Sequence, residues 1–232
     1  MAADEWLLER HSRRLHPPVL RFYTWWPVAV SLGYHQRRVP ATWEELIWGG
    51  EVVELVRRPT GGRAVLHQGD LTYAVVTSGL GGHRLQSYQA ICQFLIKGWR
   101  RLGVELDYGI AKRSEGENPS CFATATEADL VLPGGAKLIG SAQVLRRGAI
   151  LQHGSMRLWP DRELLRQIFG IEEELPTLPP SLPQEPEALM SLVTEALIAA
   201  AEECFNAQFM VEPFSEAEVA EIDAFAACRL RR

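Results

Sequence analysis

The 232-residue sequence lacks two features that would each point to a particular kind of partner. It has no basic excess, because 24 Lys and Arg residues stand against 29 Asp and Glu and the net charge is −5. General nucleic-acid binding usually shows such an excess or a basic stripe. It also has no apolar run of membrane-spanning length, since the longest uncharged stretch, residues 22–36, is short and contains Pro27. We therefore expect neither nucleic acid nor a membrane as a partner.

Cysteine is scarce and widely spaced, at Cys92, Cys121, Cys204 and Cys228. None forms a Cys-x-x-Cys pair, so we expect neither a metal site nor a thioredoxin-like motif. Residues 1–5 are acidic and lack the basic and apolar regions of a signal peptide. The sequence therefore predicts a cytoplasmic protein with reduced thiols. Its 47% hydrophobic and 23% charged residues are typical of a globular domain.

The hydrophobic periodicity predicts an α+β fold, with a mixed, largely antiparallel sheet, flanking helices and a helical C-terminal tail. Helices are predicted over residues 3–15, 42–48 (with Thr42 as N-cap), 86–102, 187–209 and 216–230. Two short strands are predicted within residues 18–34, on either side of Trp25-Trp26-Pro27. Further strands are predicted over residues 52–56, 71–77, 104–110, 128–132, 137–145 and 149–158. A turn is predicted at residues 133–135 and a polar loop at residues 112–120. Residues 1–170 are predicted to form the core, 171–186 a proline-rich connector, and 187–232 helices that complete the same domain.

The first candidate segment is RRPTGGRAVLH at residues 57–67. Gly61 and Gly62 allow positive φ and a close approach of the backbone to a ligand. Arg57 and Arg58 offer donors for an anionic or carbonyl ligand, and His67 follows as a donor or base. Gly-Gly pairs also occur in plain turns, so the segment alone makes no assignment.

The second segment is KLIGSA at residues 137–142, where Gly140, Ser141 and Ala142 leave room for a ligand beside Lys137. An alternative reading, which composition alone favours, is that Lys137 is a solvated residue at a strand edge. His153 follows an apolar strand and is a candidate base or pocket donor. For both histidines the alternative is a residue satisfied within the core.

Cys121 lies in an irregular, polar part of the sequence. A cysteine there can act as a nucleophile when basic groups stabilise its thiolate, and the alternative is an incidental thiol. Cys92 and Cys204 fall within predicted helices, where a packing role is favoured.

These segments, taken in order, resemble the biotin/lipoate ligase superfamily and within it the LipM-type octanoyltransferases. Residues 57–67 are similar to the motif Arg-Arg-x-x-Gly-Gly-Gly-x-Val-x-His, with Arg63 in place of the third glycine as in the LipM variant. Residues 137–142 resemble its Lys-x-x-Gly-Ser-Ala motif, and Cys121 with Phe122 resembles the LipM acyl-thioester cysteine. Residues 149–155 resemble a further shared stretch. Residues 1–5 are similar to a family helix, before which the resemblance implies a strand that this sequence does not contain.

The resemblance implies a fold like that of class II aminoacyl-tRNA synthetases and biotin ligases. It also implies transfer of octanoyl from acyl carrier protein to a lysine of a lipoyl domain or of the glycine cleavage H protein, without a cofactor. Cys121 would carry the acyl group as a thioester and Lys137 would donate to its carbonyl. The implied substrate-binding residues are Arg57, Arg58, Gly61, Gly62, His67, Gly140, Ser141, Ala142 and His153.

Two alternatives remain within the superfamily. A lipoate-protein ligase would activate a free acid with ATP and Mg²⁺, although ligases usually carry a further C-terminal domain. An amidotransferase would move octanoyl from the H protein to other lipoyl domains. For either transferase we expect Val65, Tyr73 and Ala142 to line an acyl tunnel. We expect acidic partners to dock on Lys97, Arg100 and Arg101 or on Arg146 and Arg147, unless these are merely solvated charges.

Overall fold

The structure, a computed structural model, describes residues 1–110, 120–122, 126, 128–170, 172 and 174–229. Its helices are α1 (Ala2–Ser12), α2 (Arg84–Arg101), α3 (Arg162–Phe169), α4 (Pro186–Phe205) and α5 (Glu216–Arg229). Its strands are β1 (Val19–Tyr23), β2 (Ala29–Leu32), β3 (Ile47–Trp48), β4 (Glu51–Val52), β5 (Glu54–Arg57), β6 (Val65–His67), β7 (Asp70–Ser78), β8 (Asp107–Tyr108), β9 (Asp129–Val131), β10 (Lys137–Arg146) and β11 (Ala149–Arg157). No helix in these ranges is both long and apolar enough to cross a membrane.

A six-stranded sheet forms the centre of the fold, in the order β1-β7-β11-β10-β9-β8, and all its neighbours are antiparallel. A second sheet has the order β5-β2-β6, in which β2 and β5 are parallel. A separate hairpin joins β3 and β4. The predicted mixed, largely antiparallel α+β fold is therefore confirmed.

The two faces of the large sheet are covered by different helices because side chains alternate along each strand. Tyr73 and Val75 of β7 face the cluster that includes α2 and α4. Ala74 and Val76 face the other way, toward Leu7 and its neighbours on α1. Helix α5 packs on the outside of α1.

Helix α2 is where the sequence predicts it, with its apolar face against the sheet. Gly98 lets α4 cross it closely, since a Cβ there would lie 2.6 Å from Cδ2 and 3.1 Å from Cα of Leu197. Helix α4 ends at Phe205, four residues before the predicted end at 209. Asn206 adopts a left-handed conformation (φ 48°) and ends the helix there.

The predicted helix at residues 42–48 is wrong. A single 3-10 turn at Ala41–Trp43 is followed by the β3-β4 hairpin. Gly49 and Gly50 both have positive φ, which a tight hairpin turn favours. The Trp43 ring is buried near α3, and its Nε1 donates to the carbonyl of Ile168 at 2.8 Å. Tertiary packing and turn chemistry thus override the local helix signal.

The other connections mostly agree with the sequence. The turn at residues 133–135 joins β9 to β10, as predicted. The two strands predicted within 18–34 exist, but β1 belongs to the large sheet and β2 to the small one. The predicted strand at 52–56 divides into β4 and β5, and the one at 104–110 shortens to β8. The predicted polar loop at 112–120 lies outside the described residues except for Ser120, and the domain boundaries stay a prediction.

Candidate active site

A cavity of about 650 Å³ opens between the two sheets and the start of α2, within the size range of small-molecule sites. Strands β2, β6, β7, β10 and β11 and the segment 58–63 contribute to its walls. The predicted site residues that line it are Arg58, Gly61, Gly62, His67, Cys121, Gly140, Ser141, Ala142 and His153. Lys137 lies behind Cys121, and Arg57 is outside the described lining. The fold therefore brings together segments that are far apart in sequence.

Cys121 is fixed to the end of the Gly61-Gly62 segment. Its backbone N–H donates to the carbonyl of Ala64 at 2.9 Å, and Ser120 and Ala64 form an isolated parallel bridge. The Cys121 side chain is partly buried and faces the cavity. This attachment places the thiol beside the residues that precede β6.

Lys137 is a buried partner of Cys121 and not a solvated edge residue, with 4% of its surface exposed. Its Nζ lies 2.8 Å from the carbonyl oxygen of Cys121 and 3.8 Å from Sγ. The same ammonium pairs with Oδ1 of buried Asp129 at 2.9 Å, and it lies 4.7 Å from the centre of the Phe122 ring. Asp129 is not among the residues predicted from the sequence, although its carboxylate fixes the position of the amine.

Position 140 requires a glycine because the Lys137 side chain crosses the strand there. A Cβ on Gly140 would lie 2.9 Å from Cε of Lys137 and 3.1 Å from Cζ of Phe122. On the neighbouring strand, a Cβ on Gly154 would lie 2.6 Å from the Ser141 Oγ and 2.6 Å from Cε1 of Tyr73. The glycines thus permit close packing of the polar side chains around the cavity.

Arg58 organises the segment that carries the two predicted glycines. Its guanidinium donates to the carbonyls of Ser31 (2.8 Å), Gly61 (3.0 Å) and Arg63 (2.5 Å). Burial lowers the pKa of Arg58, and the nearby Cys121 acts in the opposite direction. Gly62 has φ 96°, as the tight turn around the guanidinium requires. The structure thus shows Arg58 bound to the carbonyls of its own loop.

Arg57 points away from this loop and is exposed. Its Nη1 donates to the carbonyls of Gly33 at 2.9 Å and of Gln36 at 2.7 Å. The neighbouring arginines of the motif therefore hold two different turns, one at the cavity and one on the surface.

His67 is buried with both ring nitrogens hydrogen-bonded. Nδ1 lies 2.8 Å from Oδ2 of Asp70 and Nε2 lies 2.8 Å from Oγ of Ser31. The ring also stacks on Trp25 at a centroid distance of 4.2 Å. Oδ2 of Asp70 accepts a further hydrogen bond from Ser155 at 2.6 Å. The short spacing between His67 and Asp70 in the sequence was the available signal for this pair.

His153 connects the cavity to helix α1. Its Nε2 lies 2.7 Å from Oγ1 of Thr60 and its Nδ1 lies 3.6 Å from Oδ2 of Asp4. Burial lowers the pKa of His153, and the Asp4 carboxylate opposes this only in part. Burial also raises the pKa of Asp4, but His153, the α-amino group and Arg21 outweigh it and hold that pKa below its ordinary value.

A buried chain of hydrogen bonds ends at Ser141. Nε2 of Gln143 donates to Oε1 of Gln152 (3.1 Å), and Nε2 of Gln152 donates to the Tyr73 hydroxyl (3.2 Å) and approaches Sγ of Cys92 (3.3 Å). The Tyr73 hydroxyl donates to Oγ of Ser141 at 2.8 Å. Burial raises the pKa of Tyr73, so its phenol keeps its proton. The Ser141 side chain that accepts this bond lines the cavity and also lies within hydrogen-bonding reach of Tyr88.

Tyr73 therefore lies behind Ser141 and is not among the lining residues, contrary to the prediction, whereas Val65 and Ala142 do line the cavity. That this cavity is an acyl tunnel stays a prediction. The buried thiol of Cys92 has a pKa raised to about 12, mainly by desolvation, as expected of a packing residue. In the described part of the chain, no group of three or more His, Cys, Asp or Glu side chains is placed to hold a metal ion.

Four of the five basic residues predicted to dock a partner are already paired with carboxylates of this chain. Arg100 pairs with Glu105 at 3.0 Å, Arg146 with Glu5 at 2.7 Å, and Arg147 with Glu9 at 3.1 Å. Arg101 pairs with Glu203. Their charge is therefore largely compensated within the fold, whereas Lys97 is exposed on α2.

Residues 1–208 match the family described as the lipoyl protein ligase A/B catalytic domain, and the chain belongs to this family. The predicted superfamily is thereby confirmed. The sequence is 34% identical over 240 residues to a protein of Lysinibacillus sphaericus named octanoyltransferase LipM, covering 94% of this chain and 86% of the relative. It is 41% identical over 176 residues to octanoyltransferase LipM of Kyrpidia tusciae, covering 71% of this chain and 63% of the relative, just under two thirds of its length.

The fold is also that of a bipartite lipoate protein ligase from Thermoplasma acidophilum, whose structure was determined as part of an archaeal lipoylation system with its E2 lipoyl domain. The TM-score is 0.71 at 23% identity, and the match covers 97% of this chain and 86% of the other. This likeness establishes the fold.

Proposed function

We propose that the protein is an octanoyltransferase that acts in protein lipoylation. It takes octanoyl from acyl carrier protein and passes it to a lysine of a lipoyl domain or of the glycine cleavage H protein. The similarity to two octanoyltransferases supports this reaction class. The observation that carries the chemistry is the buried Lys137 ammonium, 3.8 Å from the Cys121 sulfur at the wall of the cavity.

In the first step, the Cys121 thiolate attacks the carbonyl carbon of the octanoyl thioester. A new sulfur–carbon bond forms, the bond to the carrier sulfur breaks, and the carrier leaves as a thiol after taking up a proton. The Lys137 ammonium opposes the negative charge on the attacking sulfur and donates toward the acyl carbonyl. Backbone amides of Gly61-Gly62 or Gly140-Ser141 stabilise the oxyanion, and the hydroxyl of Ser141, which lines the cavity, adds a donor.

In the second step, the neutral ε-amine of the acceptor lysine attacks the same carbonyl carbon. The amide bond forms, the bond to Cys121 breaks, and the amine proton passes to the departing thiolate. Because the donor is already a thioester, the sequence of steps needs no ATP. A covalent cysteine intermediate divides the transfer into two displacements.

Arg58, Gly61 and Gly62 shape one wall of the substrate site in this proposal, and Gly140 and Ala142 shape the opposite wall. His67 and His153 hold the wall through Asp70 and Thr60. Arg57 acts at a distance, through the surface turn that it holds.

A transfer assay with three donors tests the proposal. The protein is mixed with an apo lipoyl domain and either octanoyl-acyl carrier protein, octanoylated H protein, or octanoate with ATP and Mg²⁺. We expect ATP-independent transfer from acyl carrier protein that is lost in Cys121→Ala and retained in Cys228→Ala, an exposed cysteine on α5. Transfer only from H protein would identify an amidotransferase, and a strict requirement for ATP would identify a ligase.

A further inference from the structure

Several arginines on the surface of this acidic protein are compensated by nearby carboxylates, but the two in the turn at residues 33–38 are not, and neither are Arg14, Arg84 and Arg162 elsewhere on the described surface. Arg37 and Arg38 are exposed. Neither forms an ion pair with a carboxylate anywhere in the described ranges. Tyr34 and His35 are exposed beside them. We call these six residues the arginine turn.

The arginine turn has a fixed shape. Arg57 reaches it from β5 and donates to the carbonyls of Gly33 and Gln36, so one guanidinium bridges the first four residues of the turn. The backbone N–H of Gln36 donates to the carbonyl of Gly33 at 3.0 Å. The guanidinium of Arg57 adds a third positive charge at the base of the turn. These contacts hold the backbone of residues 33–36, from which the two exposed arginines follow directly, so less backbone entropy is lost when a partner binds.

The turn is also attached to the rim of the cavity. The backbone N–H of Tyr34 donates to the carbonyl of Thr60 at 2.8 Å. Gly33 packs so tightly on Gly62 that a Cβ would overlap the Gly62 carbonyl oxygen. Gly62 lines the cavity that contains Cys121. A molecule bound to the arginine turn therefore lies next to the entrance of the acyl site.

We propose that the arginine turn docks the acidic acyl carrier that donates the octanoyl group. This inference rests on the proposed function and adds the surface to which the donor protein binds. Arginine suits the task because its planar guanidinium binds carboxylates and phosphates through paired hydrogen bonds.

The charge of the turn favours the donor over the acceptor. The donor thioester is carried on an arm joined to its protein by a phosphodiester, so both the carrier surface and the arm are anionic. The acceptor instead inserts a lysine, whose ammonium is repelled by a cluster of arginines at the rim. Charges at the edge of an interface act mainly on the association rate and are screened by salt.

The test replaces both exposed arginines, Arg37→Glu and Arg38→Glu, in one variant. The control variant, Arg100→Glu with Arg101→Glu, makes the same change in net charge on a surface where both arginines are paired. Octanoylation of Cys121 is followed by intact mass with octanoyl-acyl carrier protein and, separately, with octanoyl-pantetheine, which has neither the carrier nor its phosphate.

We expect the first variant to lose at least about 10-fold in kcat/KM for the carrier at low ionic strength, and to approach the wild type as salt screens the charges. Its rate with octanoyl-pantetheine and all rates of the control should stay within about twofold of the wild type. Equal losses in both variants, or no loss in the first, would overturn the inference. A loss of rate confined to the transfer of octanoyl from Cys121 to the lipoyl domain would also overturn the inference. If neither thioester acylates the wild type, the proposed function itself fails and the docking inference fails with it.

Discussion

Removing the charge of Lys137 is expected to slow octanoylation of Cys121 by about 30-fold. A unit positive charge 3.8 Å from the sulfur attracts a thiolate by about 4 kcal/mol at an effective dielectric constant of 20. The Asp129 carboxylate, 2.9 Å from the same ammonium, cancels part of this attraction. If about half remains, the loss is ~2 kcal/mol, which corresponds to about 30-fold in rate.

The variant that isolates this effect carries Lys137→Met and Asp129→Asn together. The lysine substitution alone leaves a buried carboxylate without its partner, which typically costs about 3–5 kcal/mol of stability. The double variant removes both charges, so a change in rate is separable from unfolding. Lys97→Met, on the exposed face of α2, is the matched control for the loss of one lysine.

The assay measures the rate of adduct formation on Cys121 by quenched intact-mass spectrometry with octanoyl-pantetheine. Thermal unfolding of each variant verifies that it is folded. A double variant that is folded and acylates as fast as the wild type and the Lys97→Met control would refute the electrostatic role assigned to the lysine.

Three further predictions concern residues around the cavity. Tyr73→Phe should reduce the transfer rate by about 10-fold, because the Ser141 hydroxyl loses the donor that orients it. Tyr108→Phe, at the edge of the sheet, should leave the transfer rate unchanged. Equal effects of the two substitutions would contradict the chain of hydrogen bonds that ends at Ser141. Gly140→Ala should lower the acylation rate by displacing the lysine stem, whereas Gly81→Ala, where no atom lies within 4 Å of the added Cβ, should leave it unchanged. The pKa of His153 is lowered in the fold, so on acidification the unfolded state binds the imidazole proton before the folded state does. Stability should therefore fall as the pH drops below about 6.5. In His153→Gln, the melting temperature should depend less steeply on pH between 7.5 and 5.5, and an unchanged slope would contradict a neutral buried imidazole.

Much of the fold is predictable from local pattern. Helix α2 has its apolar residues on one face, and β7, β10 and β11 are long strands that contain apolar residues and are bounded by glycine or polar turns. Such signals are carried by neighbouring residues and do not depend on the rest of the chain. The helix predicted at 42–48 is wrong because Trp43 is held by contacts with α3, more than a hundred residues away.

The candidate site is predictable only in part, for the same reason. Its motifs have characteristic glycines and a lysine, so a sequence can resemble a family at these positions. The partners that fix them come from remote segments: Asp129 for Lys137, Asp4 for His153 and Ser31 for Arg58. Composition alone favoured an exposed Lys137, because an isolated lysine beside an apolar strand gives no sign of a buried carboxylate on the strand paired with it.

The most direct test of the proposed Cys121 thioester is to locate the acyl group after the protein has reacted with octanoyl-acyl carrier protein in the absence of ATP. Peptide mapping under acidic conditions, which preserve thioesters, distinguishes Cys121 from Cys92, Cys204 and Cys228. We expect one octanoyl group per chain, on Cys121, that disappears when an apo lipoyl domain is added and reappears on its lysine. An acyl group on another residue, or efficient transfer by Cys121→Ala, would contradict a covalent Cys121 intermediate.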